Sequence, residues 1–228
     1  MTIQLVGMTA RPNPARRERI LHEAEQLFFA RGLKGVSMDE VAAAAGVKKA
    51  NLFHYYPSKE ALEVAVLDRF GASLRERVAE QFAADAPDPI AAVALMFEEA
   101  AKGMRRRRYR GGCFAGNLAL EAGDDREGVR TRVAMLLRFW AAEVAALLER
   151  GRSSGFFRRD LRAGRAAEAI LSLFEGALLF SKVSRKPAAI DSARDMAVVY
   201  LQGFRAPSRA AKRASGRRSS GPDLAYRT

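Results

Sequence analysis

The sequence predicts an all-α protein with an N-terminal three-helix unit and a larger C-terminal helical domain. Three observations predict it. Apolar residues recur at three- and four-residue spacing through most of the chain. No segment alternates convincingly with period two, and Ala, Leu, Glu and Arg, all good helix formers, dominate. With 228 residues and 49% of them hydrophobic, the chain can bury a sizeable core.

Residues 1–14 show no sustained period and contain Pro12 and Pro14, so they read as a flexible arm. Ile20, Ala24, Leu27 and Phe28 then mark a helix, and Gly32 suits the left-handed residue that ends it. Ser37-Met38-Asp39-Glu40 is a capping box that opens a short helix over 38–45. After Gly46 a second short helix runs to about 56 and stops at Pro57. Ser58 caps a long helix to about 84. Asp88-Pro89 pairs an N-cap with proline at the first helical position and opens a helix to about 108. Gly111-Gly112 breaks the chain, and a short helix follows over 113–122. A long helix over 126–150 ends at the glycines between 151 and 155. Two further helices, 162–184 and 188–204, are divided by Pro187. From 206 to 228, Ser, Arg, Gly, Pro and Ala dominate, which predicts a disordered basic tail.

Charge restricts the function classes. The net charge is +13. Residues 205–228 carry +6 of it, and Arg105, Arg106, Arg107, Arg108 and Arg110 form a knot mid-chain. A basic protein attracts polyanions, nucleic acid first, although an Arg-rich composition also serves solubility. No apolar run approaches the ~18 residues of a membrane span. The N-terminus lacks the basic-then-apolar order of a secretory signal. Cys113 is the one cysteine, which fits a reducing cytoplasm and allows no intrachain disulfide. No glycine-rich phosphate loop or metal-ligand cluster is present, so neither enzyme, cofactor nor metal is expected. His22 and His54 both lie in the N-terminal unit, away from Cys113 in sequence.

Two short helices joined by a tight glycine turn are the signature of a helix-turn-helix. Ala42, Ala43 and Ala45 are small enough for a close crossing. Gly46 supplies the positive φ of the turn. Val41, Val47 and Leu52 form the small core, and Leu52 and Tyr56 share the inner face of the second helix. Ala50, Asn51 and His54 then point outward, with Phe53 and Tyr55 on the flanks. That face suits entry into a DNA major groove. Asn51 pairs with adenine edges, and Lys48 or Lys49 with guanine or phosphate. His54 and Tyr55 are further donors. Ser37 opens the first short helix at the same surface. Lys59, at the positive end of the helix capped by Ser58, is placed to grip a phosphate.

Residues 17–62 resemble the N-terminal domain of the TetR family of regulators. The residues that carry the resemblance are Ile20, Ala24, Leu27, Phe28, Gly32, the run Ser37-x-x-Glu40-Val41-Ala42, Ala45-Gly46-Val47, Asn51 through Tyr56, and Ser58-Lys59-Glu60-x-Leu62. The resemblance implies a DNA-binding domain over 15–60 and an effector-binding, dimerising domain over 61–205. It implies a homodimer through the last two helices, a double-stranded DNA operator and a small-molecule effector. Two departures stand out. The family often has Ser or Thr where this chain has Lys48, so a cap worth ~1 kcal/mol is given up. The family often has Tyr where this chain has Phe53, which cannot hydrogen-bond a phosphate.

Gly112-Cys113-Phe114-Ala115-Gly116-Asn117-Leu118-Ala119-Leu120-Glu121 resembles a motif of one TetR branch, which also tends to carry a run like Glu175-Gly176-Ala177 followed by Lys182. That branch includes repressors that sense electrophiles through the motif cysteine, so Cys113 and Lys182 become candidate sensors. At a helix N-terminus, amide N–H groups and the nearby arginine knot would stabilise a Cys113 thiolate; the plain alternative is a small buried hydrophobe. Phe97, Met104, Asn117, Phe139, Trp140, Phe174 and Phe180 are the candidate walls of a pocket for a small, apolar effector, or ordinary core. Leu171, Phe174, Leu178, Val198 and Leu201 are candidates for the dimer interface. The resemblance implies a repressor released from its operator by a small apolar or electrophilic effector; the alternatives are an activator of the same fold and a non-specific nucleic-acid binder driven by the tail.

Overall fold

Asn13 starts the first helix earlier than the arm expected over 1–14. Its side chain accepts from the amides of Ala15 and Arg16, and Pro14 takes the first helical position, where no amide hydrogen is needed. The computed structural model describes residues 13–82, 88–122 and 126–207. Residues 1–12 of the expected arm and 208–228 of the expected tail lie outside the described residues.

Among the described residues every regular element is a helix. The order is α1 (Pro14–Arg31), α2 (Met38–Ala44), α3 (Lys49–Tyr55), α4 (Lys59–Gln81), α5 (Pro89–Arg106), α6 (Phe114–Ala122), α7 (Glu127–Ser153), α8 (Ala163–Ser184) and α9 (Ala188–Gln202). The all-α expectation holds, and the starts agree because the caps were written in the sequence. Ser37 closes the capping box with Glu40. Ser58 accepts from Ala61, and Asp88 accepts from Ile90 and Ala91. None of the nine is long and apolar enough to cross a membrane.

The ends differ more. α5 stops at Arg106 because Arg108 and Tyr109 turn to positive φ, followed by Gly111 and Gly112 at 90° and 78°. Main-chain contacts reach Ala206, the first residue of the expected tail. Arg205 bridges to Phe157, and the Ala206 amide donates to the Phe156 carbonyl.

α1, α2 and α3 pack as one unit, and α4 leaves it to run against α7. α8 packs on both α7 and α9, α9 packs on α5, and α6 lies on α7. Buried apolar side chains from both ends of the chain form one continuous core, from Ile20 and Phe28 through Leu67 to Leu148 and Ile170. The boundary expected near residue 60 therefore falls in the first turn of a helix that serves both halves. Arg69 of α4 ties back to Glu18 and Glu25 of α1.

Candidate nucleic-acid interface and effector site

α3 is held from below by two residues. Leu52 is fully buried and Tyr56 nearly so. Gly46 has φ 61°, and the nearest atom to a β-carbon built there is 4.0 Å away. Its glycine is needed for backbone conformation, not space. The outward face then carries Lys48, Lys49, Ala50, Asn51, Phe53 and His54, all exposed. Tyr55 is half-buried, its ring meeting His54 edge to face. Its hydroxyl accepts from the Asn13 amide at 2.9 Å and so pins α3 to the start of α1. The hydroxyl hydrogen stays available to a further acceptor.

Several of these side chains have protein partners. Ser37 accepts from the Glu40 amide and donates to the Glu40 carboxylate at 2.8 Å, so its hydroxyl is committed to capping α2. Arg31 donates to the same carboxylate at 2.7 Å. With the Ser37 amide, the largest effect, these bonds hold the Glu40 carboxyl at about 2. Lys49 lies 2.9 Å from Asp39. Lys48 occupies the N-cap of α3 and makes no capping hydrogen bond, which leaves its ammonium to solvent. Lys59 is partly turned inward, 3.9 Å from Glu63. Glu63 is almost fully buried, and one nitrogen of Arg126 reaches both its oxygens at 2.7 Å. Its carboxyl is pushed up by burial, against the pull of Arg126.

In the C-terminal half, Phe97, Trp140 and Phe174 converge from α5, α7 and α8. The Phe97–Phe174 and Trp140–Phe174 ring centroids are 5.3 and 4.9 Å apart, each edge to face. Met104 is fully buried. Phe139 is half-buried, with the Arg75 guanidinium 5.9 Å from its ring. A polar group joins α6 and α8. Lys182 donates to Asn117 at 3.1 Å, and Asn117 donates to the Gly111 carbonyl. Trp140 Nε1, Glu175 Oε1 and Ser181 Oγ are buried without a hydrogen-bond partner among the described residues.

The helix start expected to favour a Cys113 thiolate is opposed by burial. Its sulfur accepts from the Gly116 amide at 3.4 Å, as the helix start suggested. Part of the residue stays exposed, but its sulfur lies among packed groups. Burial pushes the thiol far up, and the carboxylate of Glu175 adds to the effect. The amides of Gly116 and Ala115 pull the other way and lose. Arg107 interacts with the sulfur electrostatically, yet its guanidinium stacks 4.9 Å from the Phe29 ring. The sequence marked Glu175 only as part of the run Glu175-Gly176-Ala177; it lies one turn from Leu171 and Leu178 on α8, and tertiary packing brings it to Cys113.

The residues expected to pair two chains are also corrected. Leu171, Phe174, Leu178 and Leu201 are buried in the chain's own core, and Val198 is partly so. α8 and α9 each carry two apolar stripes, and the other one faces out. Phe180 is 69% exposed, Val183 77%, Met196 60% and Val199 61%. Phe180 therefore lines no internal pocket. With Leu173, Ala177, Ala193 and Met196 it borders an apolar concavity of about 680 Å³ between the two helices.

Comparison with known proteins agrees with this geometry. Residues 20–66 match the family described as bacterial regulatory proteins, tetR family. Residues 89–197 match the family described as tetracyclin repressor-like, C-terminal domain. The HTH-type transcriptional repressor DhaR of Mycobacterium sp. (strain GP1) is 25% identical over 175 residues, 77% of this chain and 86% of its own length. The HTH-type transcriptional repressor NemR of Escherichia coli (strain K12) is 27% identical over 177 residues, 78% of this chain and 89% of its own. The crystal structure of E. coli NemR in its reduced form superposes with a TM-score of 0.75 at 26% identity, covering 85% of this chain and 99% of that one.

Proposed function

The chain belongs to the TetR family of bacterial regulators, and from that premise we propose that it is a ligand-responsive repressor that binds an operator as a homodimer. The observation that carries the reading is the face of α3. Lys48, Asn51 and His54 stand exposed on a short helix whose opposite side is locked by Leu52 and Tyr56. The family's function adds the setting: double-stranded DNA, in the cytoplasm, with no chemistry catalysed.

One seven-residue helix offers few base contacts. Two of them, fixed in one dimer, supply useful affinity because the second binds at high effective concentration. The outward stripe of α8 and α9, with Phe180, Val183, Met196 and Val199, is the surface we assign to that dimer. An exposed apolar patch of this kind marks an interface.

The effector site is assigned to Phe97, Trp140 and Phe174 together with the Asn117–Lys182 polar group. Trp140 Nε1, Glu175 Oε1 and Ser181 Oγ are costly while buried unpaired, and a small, mostly apolar ligand with one acceptor and one donor would satisfy the first two. Ligand occupancy lowers DNA affinity by its differential affinity for two arrangements of the C-terminal half.

A second reading makes Cys113 itself the input. The Gly116 amide at its sulfur favours it, and burial opposes it. Treating the protein with maleimide separates the two. DNA release that persists in Cys113→Ser removes the second reading.

Selection of duplexes from a random pool tests the main reading. The full chain should enrich a two-fold symmetric sequence, and a chain lacking 206–228 should enrich the same one. Enrichment that depends on the basic tail would contradict it.

A further inference from the structure

Glu121, in the last turn of α6, reaches the turn between α1 and α2. Its Oε2 accepts from the Leu33 amide at 2.6 Å and from the Lys34 amide at 3.4 Å. Gly32 makes the approach possible. A β-carbon there would collide with the Glu121 carboxylate, and the glycine's φ is 76°. The contact is to main chain, so it fixes the turn itself and not one rotamer.

The other end of α6 belongs to the effector site. Cys113, Asn117 and Glu121 recur every fourth residue and so share one face of the helix. Asn117 is held by Lys182 of α8. The approach to α6 bears on α1 as well. Gly111 leaves no room for a β-carbon beside the Phe29 ring, and Phe29 stacks on Phe114 with centroids 5.8 Å apart. α6 therefore meets α1 at Phe29, and the turn that follows α1 at Gly32 to Lys34.

Bonds continue from the turn to the recognition helix. Arg31 donates to the Gly35 carbonyl and to Glu40, both at 2.7 Å. Glu40 closes the cap of α2. α2 packs directly on α3. A contiguous set of contacts thus runs from Asn117 to α3.

From this geometry we infer that Glu121 is a positioning residue, which sets the α1–α2 turn relative to the effector half and so couples effector to operator. The inference rests on the operator reading above. A nine-residue helix is a rod about 14 Å long. A ligand that displaces Asn117 or Lys182 moves that rod, and the carboxylate at its far end moves with it. While the two amides are held, α2 and α3 keep one orientation, and the two half-sites of a dimer keep one spacing. Removing the carboxylate returns both amides to water and loosens that spacing, which weakens specific binding by loss of preorganisation.

The test uses the full chain and a duplex selected from a random pool. Glu121→Ala should raise the operator dissociation constant on the order of tenfold. Binding to an unrelated duplex should stay unchanged, because it needs charge and not spacing. Hydrogen exchange at the Leu33 and Lys34 amides should accelerate. If Glu121→Ala lowers the melting temperature, the isosteric Glu121→Gln carries the test, with a smaller loss of operator affinity and an unchanged melting temperature. Unchanged operator affinity and unchanged exchange in both variants, with a specific wild type, overturn the proposal. Equal losses on both duplexes also overturn it. A wild type with no preference among duplexes overturns the operator reading itself, and this inference with it.

Discussion

The ammonium of Lys49 in α3 lies 2.9 Å from the carboxylate of Asp39 in α2, across the surface assigned to DNA. The pair is exposed on both sides, so its own contribution to stability is small. Its consequence is electrostatic: Lys49 meets a phosphate with its charge already shared, whereas Lys48 beside it is free to solvent.

Asp39→Asn should therefore tighten duplex binding and steepen its salt dependence. Lys48→Ala should weaken binding to all sequences alike and reduce the slope of log K against log salt by about one. Titrations across a salt series check both. Looser binding by Asp39→Asn would show that the pair orders α3 more than it masks it.

Cys113 should react slowly with iodoacetamide in the folded protein at mildly alkaline pH, because burial keeps it a thiol. Glu175→Gln removes the nearby negative charge and should speed the reaction several-fold. Rates matching an exposed cysteine, in either protein, would contradict the burial argument.

Two substitutions on the last helices should have opposite consequences. Phe180→Glu places a charge on the outward stripe, where the ring is 69% exposed. It should yield a folded monomer with weak operator binding. Leu201→Ala removes a fully buried side chain and should cost about 2–5 kcal/mol of stability. Sedimentation and thermal melts distinguish them. A stable Phe180→Glu dimer would move the interface elsewhere.

Glu40 should titrate near 2 and not near the ordinary 4.5, since the Ser37 amide and Arg31 favour its carboxylate. Its folded-state value is depressed, so its contribution is complete above 4.5 and is lost as pH falls toward 2. Protection of the first α2 amides should decline through that window. A Glu40 midpoint at 4.5 by NMR would mean that the capping box does not persist in solution.

The fold was legible where a boundary carried a local chemical sign. Ser37, Ser58 and Asp88 cap, and Gly32 and Gly46 turn, through interactions within a few residues. The exposed face of α3 followed from Leu52 and Tyr56 for the same reason. What could not be read were choices made by tertiary packing. α8 has two apolar stripes, and only its neighbours decide that Phe174 goes in and Phe180 out. Cys113 stands at a helix start, which favours a thiolate, but burial pushes the thiol up, and Glu175, 62 residues away along the chain, adds to the effect. Glu121 entered only as the last residue of the run that opens at Gly112, and its role was hidden because its partners are main-chain amides, which leave no mark in a sequence.

The central claim is that α3 reads base edges in the major groove. Substituting 7-deazapurines one at a time through the selected duplex removes N7, an acceptor found only in that groove. Binding should weaken at one or a few positions, repeated symmetrically in both half-sites. At the adenine contacted by Asn51 the loss should be about 1–3 kcal/mol and should vanish in Asn51→Ala. A duplex insensitive to every substitution, or a pattern unchanged by Asn51→Ala, would contradict the account.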